Sequence, residues 1–195
     1  MALTTSLFNL LTLFIWTLMW VFWVVSAFTS KRNKTGISWA REGAIRVFII
    51  IVVIILVRSG IFHFSGGSIQ DFLVPPTFWF GVIGVIICAC GVGLAIWARI
   101  TLGRNWGMPM TLKEDPELIT SGPYAIVRHP IYAGFLFAVL GSSLVDGLGW
   151  LILFLVVGVY FTYSALTEEK LMLKQFPKEY PNYMAKTKAM IPFVW

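Results

Sequence analysis

The stretch 121–132, Ser-Gly-Pro-Tyr-Ala-Ile-Val-Arg-His-Pro-Ile-Tyr, concentrates the groups that could do chemistry. Arg128 carries a permanent charge on a planar fork that matches a carboxylate or phosphate. His129-Pro130 reads as a helix start, because proline fits the first turn, where its missing N–H would lack a partner anyway. The N–H groups and positive dipole end of such a start favour an anion. Tyr124 and Tyr132 flank the basic group, each with an apolar ring and a hydroxyl. Farther along, Glu168 and Glu169 close a long apolar run. A carboxylate at a helix C-terminus opposes the dipole and gains nothing locally, so it suggests a partner elsewhere. Adjacent helical residues point about 100° apart. One glutamate is expected to face the bundle and the other solvent, near Lys170 or Lys174.

Each group also has a plain reading. Arg128 with a following proline can be a membrane-interface anchor. Tyr124 and Tyr132 can be interfacial tyrosines, and His63 reads as one more interfacial side chain. Leu102-Gly103 and Asn105-Trp106-Gly107 are explained by a simple turn. Cys88 and Cys90, two apart in one apolar segment, face different ways and read as packing residues. The scattered histidines and cysteines make no metal site.

The elements that must position these residues are membrane helices. The chain has 195 residues, 58% hydrophobic and only 12% charged, against about a quarter charged in soluble domains. Apolar runs near 20 residues read as bilayer spans. Five are expected, at about 7–28, 44–62, 77–98, 131–145 and 148–167. The first is too long for a signal-peptide core and has no basic residue before it, so it is expected to be retained. The fold class is an all-α polytopic transmembrane bundle, with 1–98 as an N-terminal three-span region and 99–195 as the chemistry-bearing part of one compact domain.

The net charge of +6 sits in blocks around 31–46, 99–128 and 170–188. The positive-inside rule assigns these blocks to the cytoplasm, giving an outside N-terminus and a cytoplasmic C-terminus. Charge placed this way does not suit nucleic acid. Only Asp146-Gly147 separates spans four and five, so they form a tight hairpin. The hairpin returns Glu168-Glu169 to the surface where Arg128-His129-Pro130 begins. Gly81, Gly84, Gly91 and Gly93 read as small residues at helix contacts rather than a nucleotide loop. Trp16, Trp20, Trp23, Trp79, Trp97 and Trp150 read as an aromatic belt. The tail 170–195, aromatic and basic, suits a segment on the membrane surface, with a folded-back lid as the alternative. The pocket so assembled has an anion site, a carboxylate able to bind hydroxyls or an ammonium, and apolar walls in reach of lipid. A zwitterionic, adenine-bearing cofactor and a lipid-like co-substrate would fit it.

At these residues the chain resembles the integral-membrane methyltransferases that include isoprenylcysteine carboxyl methyltransferase and the phospholipid methyltransferases. The anchors are Leu102-Gly103-Arg104-Asn105-Trp106, the run 117–124, Arg128-His129-Pro130-Ile131-Tyr132, Glu168-Glu169, and Tyr180/Tyr183 through Ile191-Pro192-Phe193. They cover roughly the C-terminal half. The resemblance implies S-adenosylmethionine as methyl donor. It implies that His129, Pro130, Ile131 and Tyr132 hold its methionine part and that Tyr124 packs on it. Pro116, Glu117, Leu118 and Ile119 would line the adenine side, and Glu168 would be the acidic contact. Arg128 and Glu168 are the catalytic candidates. The family's carboxyl methyltransferases carry an arginine about one turn before the glutamate pair, where this chain has Ser164.

The implied reaction is in-line methyl transfer to a prenylcysteine-type carboxylate or similar lipophilic acid, with no metal and with the site at the cytoplasmic face. A carboxylate acceptor is ionised near neutral pH and needs no general base. An amino-lipid N-methyltransferase is the enzymatic alternative, in which Glu168 or Glu169 could accept the amine's proton. A non-enzymatic membrane binding or assembly protein is the alternative of another class.

Overall fold

A computed structural model describes residues 2–27, 33–35, 78–106, 112–113 and 117–191. The expected second span at 44–62, His63, Pro116 and Pro192-Phe193 lie outside the described residues. Five α-helices are described: α1 (Ala2–Ala27), α2 (Phe78–Leu102), α3 (Pro130–Asp146), α4 (Leu148–Gln175) and α5 (Glu179–Lys186). Short 3-10 turns run over Gly103–Asn105 and Gly122–Ala125, and Asn33–Thr35 pairs antiparallel with Leu112–Lys113. The described architecture is otherwise helical.

Three segments, Leu7–Ser26, Phe78–Asn105 and Trp150–Gln175, are long and apolar enough to cross a membrane. The 17-residue α3 is apolar but shorter, about 25 Å at 1.5 Å per residue against a hydrocarbon core of about 30 Å. The 28-residue α4 is longer than that core, about 42 Å.

The closest helix contact pairs α2 with α3, antiparallel, through glycines seven residues apart on each. A methyl group added at Gly84 would lie 2.7 Å from the Gly141 carbonyl oxygen, and one at Gly141 2.6 Å from that of Gly84. One added at Gly91 would lie 2.5 Å from the Gly134 carbonyl oxygen, and one at Gly134 2.6 Å from that of Gly91. Backbone sits against backbone, so nothing larger than hydrogen fits at these four positions. Small residues are favoured in lipid because close approach replaces the missing hydrophobic drive.

The α3–α4 hairpin turns on Gly147, whose φ of +93° is open to glycine but strained for other residues. Its N–H closes α3 onto the Ser143 carbonyl at 3.0 Å, and its carbonyl accepts from Trp150 N–H at 3.1 Å. Phe135 on α3 joins the remaining layers. Its ring meets Trp16, Trp20 and Trp23 of α1 at 5.7, 6.2 and 6.0 Å and Phe161 of α4 at 5.9 Å. Trp16 also donates to Ser142 Oγ at 2.9 Å and stacks on Trp150.

Two sequence expectations change here. Trp16 and Trp23 work as half-buried helix contacts, whereas Trp79 and Trp97 are exposed as a belt requires. Arg99 belongs to the last turn of α2 rather than to a loop and is buried. Carbonyls supply its compensation: it donates to Gly103 O at 2.8 Å and to Ser26 O, and it lies 4.5 Å from the Trp106 ring centroid. Cys88 is buried and Cys90 exposed, as their two-residue spacing requires, and both are free.

Candidate functional site

The site forms where α3 begins, along the last turns of α4, and where the C-terminal segment folds back. The Gly122–Ala125 turn is closed by Tyr124 N–H to Ser121 O at 3.1 Å and by Ile126 and Val127 N–H groups to Pro123 O, each at 3.2 Å. It delivers the chain to His129 and to Pro130 at the first position of α3. The His129 side chain makes no helix cap, because it reaches α4 instead.

One His129 nitrogen faces each glutamate: Nδ1 lies 3.5 Å from Glu168 Oε2 and Nε2 lies 3.3 Å from Glu169 Oε1. Burial opposes charging of this imidazole. The hydrogen bonds and negative charge of Glu168 and Glu169 outweigh that penalty and raise its pKa above the ordinary histidine value. Both ring nitrogens donate in the charged form, which suits two carboxylates. Tyr132 hydroxyl donates to Glu168 Oε1 at 2.5 Å. Its ring lies between His129 (5.5 Å, 7°) and Phe161 (4.5 Å, 13°), a continuous stack from the polar cluster into the apolar interior.

Arg128 is the clasp of this assembly. Its Nε donates to Glu169 Oε1 at 2.7 Å, and its Nη1 donates to the carbonyls of Thr187 and Met184. The backbone continues the attachment, with Arg128 N–H on Lys188 O at 2.8 Å and His129 N–H on Ala189 O at 2.9 Å. Tyr183 of α5 donates to Tyr124 O at 2.6 Å, and Thr187 Oγ1 to Tyr183 O at 2.8 Å. Burial pushes the Tyr183 phenol up to about 12, so it stays a donor at neutral pH. Residues 183–190 form a strap over the start of α3.

Three expectations are corrected by this geometry. The tail does not simply lie on the surface, because N–H groups ahead of α3 donate to its backbone carbonyls. The N–H groups of Arg128 and His129 are therefore taken by the strap and do not face an open anion site. Both glutamates engage the α3 start, since two side chains about 100° apart straddle one imidazole. Glu169 is buried, and the Glu168 side chain keeps 22% exposure, so it is the carboxylate left within reach of a ligand.

The remaining candidates are less concentrated. Tyr124, Pro130 and Tyr132 are buried, and Ile131 is half-buried against Tyr132. Leu118 and Ile119 are half-buried in a segment outside helix and strand, whose Glu117 N–H meets Asn105 Oδ1 at 3.4 Å. Ser164, one turn before Glu168 on α4, is fully buried, and its hydroxyl has no hydrogen-bond partner among the described residues. The strap residues Tyr183, Thr187, Lys188 and Ala189 were not foreseen as site parts. Three of them contribute carbonyls, which carry no residue-type signal; only the Tyr180/Tyr183 spacing hinted at a packed tail.

Comparisons with known proteins find relatives in sequence and in fold. The chain is 29% identical over 122 residues to a probable protein-S-isoprenylcysteine O-methyltransferase of Oryza sativa subsp. indica, covering 60% of this chain and 64% of that one. It is 35% identical over 101 residues to the protein-S-isoprenylcysteine O-methyltransferase of Schizosaccharomyces pombe, covering 50% and 43%. The cobalt-zinc-cadmium resistance protein CzcN of Cupriavidus metallidurans is 29% identical over 117 residues, covering 58% and 51%. The matches thus span less than two thirds of these relatives' length. The fold matches the solved eukaryotic intramembrane Ras methyltransferase, isoprenylcysteine carboxyl methyltransferase, with a TM-score of 0.57 at 24% identity, over 81% of this chain and 55% of that one. The phospholipid methyltransferase family matches residues 79–179, which include α2, α3, the α3–α4 hairpin, His129 and both glutamates, and the chain belongs to that family.

Proposed function

We propose that this protein is an S-adenosylmethionine-dependent membrane methyltransferase acting on a lipophilic acceptor. The observation that carries the proposal is the convergence of Tyr132 and His129 on Glu168, 36 residues beyond Tyr132, at the end of the bundle. These residues suit the donor. Glu168 is a partly exposed carboxylate held by the Tyr132 hydroxyl, a fitting partner for an ammonium, and Leu118 and Ile119 offer apolar surface for a planar base. When bound, S-adenosylmethionine supplies an electrophilic methyl on a sulfonium.

The chain's own residues hold and orient. Tyr132 and His129 fix Glu168 by hydrogen bonds. Arg128 acts through Glu169 and the strap, as a positioning residue. The Tyr132–Phe161 stack keeps water from the apolar side of the site. Such a site works by alignment and exclusion of water. We further propose a five-span topology with the N-terminus outside. Residues 99–195 form the catalytic part, at the cytoplasmic face.

The acceptor reading favoured by the named relatives is a prenylcysteine-type carboxylate, O-methylated without a general base. One observation favours a second reading, N-methylation of an amino-lipid. Ser164 is buried and uncharged one turn from Glu168, where an acidic acceptor would need a cation. Labelled donor with a prenylcysteine analogue and with phosphatidylethanolamine separates the two, because an ester product is base-labile and an N-methyl product is not. Absence of calorimetric S-adenosylhomocysteine binding would refute both. Full activity in Glu168→Ala would refute the site.

A further inference from the structure

Residues 168–188 hold five lysines and three glutamates, a mild excess of positive charge in sequence. The fold separates them. Glu168 and Glu169 turn toward Tyr132, His129 and Arg128. Lys170, Lys174, Lys178, Lys186 and Lys188 are all exposed, and none pairs with a carboxylate of a described residue. Lys170 lies ~200° round α4 from Glu168, and Lys174 lies one turn beyond Lys170. Glu179 is the remaining exposed acid in this segment. Apolar side chains interrupt the cations: Leu173 is 38% exposed, and Ile126 and Ile191, at either side of the strap, are 54% and 49% exposed.

We infer that this face, made by the end of α4, α5 and the strap, is a docking surface for acidic phospholipid headgroups. Charge complementarity selects the occupant. Five unneutralised ammonium groups against one exposed glutamate attract an anionic lipid surface, and the exposed Leu173, Ile126 and Ile191 suit the layer just below the phosphates. A soluble acidic protein would gain from the lysines but would have to cover apolar side chains that lie at the lipid boundary. The inference does not depend on methyl transfer.

The test reconstitutes the full chain in phosphatidylcholine bilayers. Electron paramagnetic resonance then compares spin-labelled phosphatidylglycerol with spin-labelled phosphatidylcholine in the lipid shell. The wild type should prefer phosphatidylglycerol by about fivefold or more, the factor a single lysine contributes near an acidic headgroup. Replacing all five lysines by glutamine should bring the ratio close to one, and high salt should do the same to the wild type. These lysines are exposed and unpaired, so an unchanged melting temperature is expected to show that the variant is folded. If the fivefold variant does not fold, the five single Lys→Gln variants replace it, each expected to lower the ratio. A ratio of one in the wild type, or a preference that survives loss of the lysines, overturns the inference. Displacement of the labelled lipid by inorganic phosphate at constant ionic strength also overturns it, since that would mean a compact phosphate site.

Discussion

Glu169→Gln tests whether the clasp at the start of α3 holds the site together. The Glu169 carboxylate faces Arg128 at 2.7 Å and His129 at 3.3 Å, and all three side chains are about nine-tenths buried. Two unit charges 4 Å apart at an effective dielectric of 20 interact by about 4 kcal/mol. Removing one member of such a buried pair costs about 3–5 kcal/mol, because the other charge is left without compensation. In the variant His129 can shed its proton, which relieves part of the loss, so the lower figure of ~3 kcal/mol is expected near neutral pH. That is about a hundredfold in an opening equilibrium. The loss should appear where Arg128 acts, in the strap. Hydrogen exchange resolves it, because the amides of Arg128 and His129 are protected by Lys188 O and Ala189 O. Those amides should exchange about a hundredfold faster in Glu169→Gln, while the α2–α3 glycine interface stays protected. Arg128→Met combined with Glu169→Leu removes both charges and should recover part of the loss. Unchanged strap protection in Glu169→Gln, or a double variant as damaged as the sum of its single changes, would refute the clasp.

Other outcomes follow from single groups. The raised His129 pKa means that its charged form stabilises the folded chain. That contribution is complete below the unfolded histidine value of about 6.5 and is lost as pH rises through the higher folded value. The melting-temperature difference between wild type and His129→Gln should therefore shrink with rising pH over that window, and a difference that grows would contradict the sign. Ser164→Ala should be neutral or stabilising by up to about 1–3 kcal/mol, since it deletes a buried hydroxyl that makes no hydrogen bond; thermal denaturation measures it. Gly91→Val should destabilise by about 3 kcal/mol or more, because its side chain would meet the α3 backbone at Gly134 and Ala138, which cannot rotate away. A folded Gly91→Val protein with wild-type melting would show that the two helices are not in backbone contact.

Much of the bundle was legible because hydropathy and charge report directly on the membrane. The runs at 7–28, 77–98 and 148–167 became α1, α2 and α4, and Asp146-Gly147 became the hairpin turn. The Arg-His-Pro start of α3 and the return of Glu168-Glu169 beside it followed from that turn. Boundaries were less legible. Helix α2 runs on past Arg99 to Leu102, because a cation can enter the helix when carbonyls and an aromatic ring receive it. Gly81, Gly84 and Gly91 of α2 were recognisable as contact positions, whereas Gly93 proves exposed, with nothing within 4 Å of an added methyl; the partners Gly134 and Gly141 could be identified only once the antiparallel register was known.

By itself the sequence determined that the chain is a membrane bundle, where its polar groups enter it, and which residue types could meet a charged ligand. Apolar length and composition decide these through the cost of putting charge or unpaired backbone into lipid. Only the tertiary structure decided how those groups are shared. His129 became a bridge between two carboxylates, Arg128 a clasp for the strap, and Glu168 the carboxylate still in reach of a ligand. The lysines near the glutamates in sequence were left to face outward. Ion pairs and backbone hydrogen bonds depend on distances of a few ångströms between segments remote in sequence, and no local pattern encodes them.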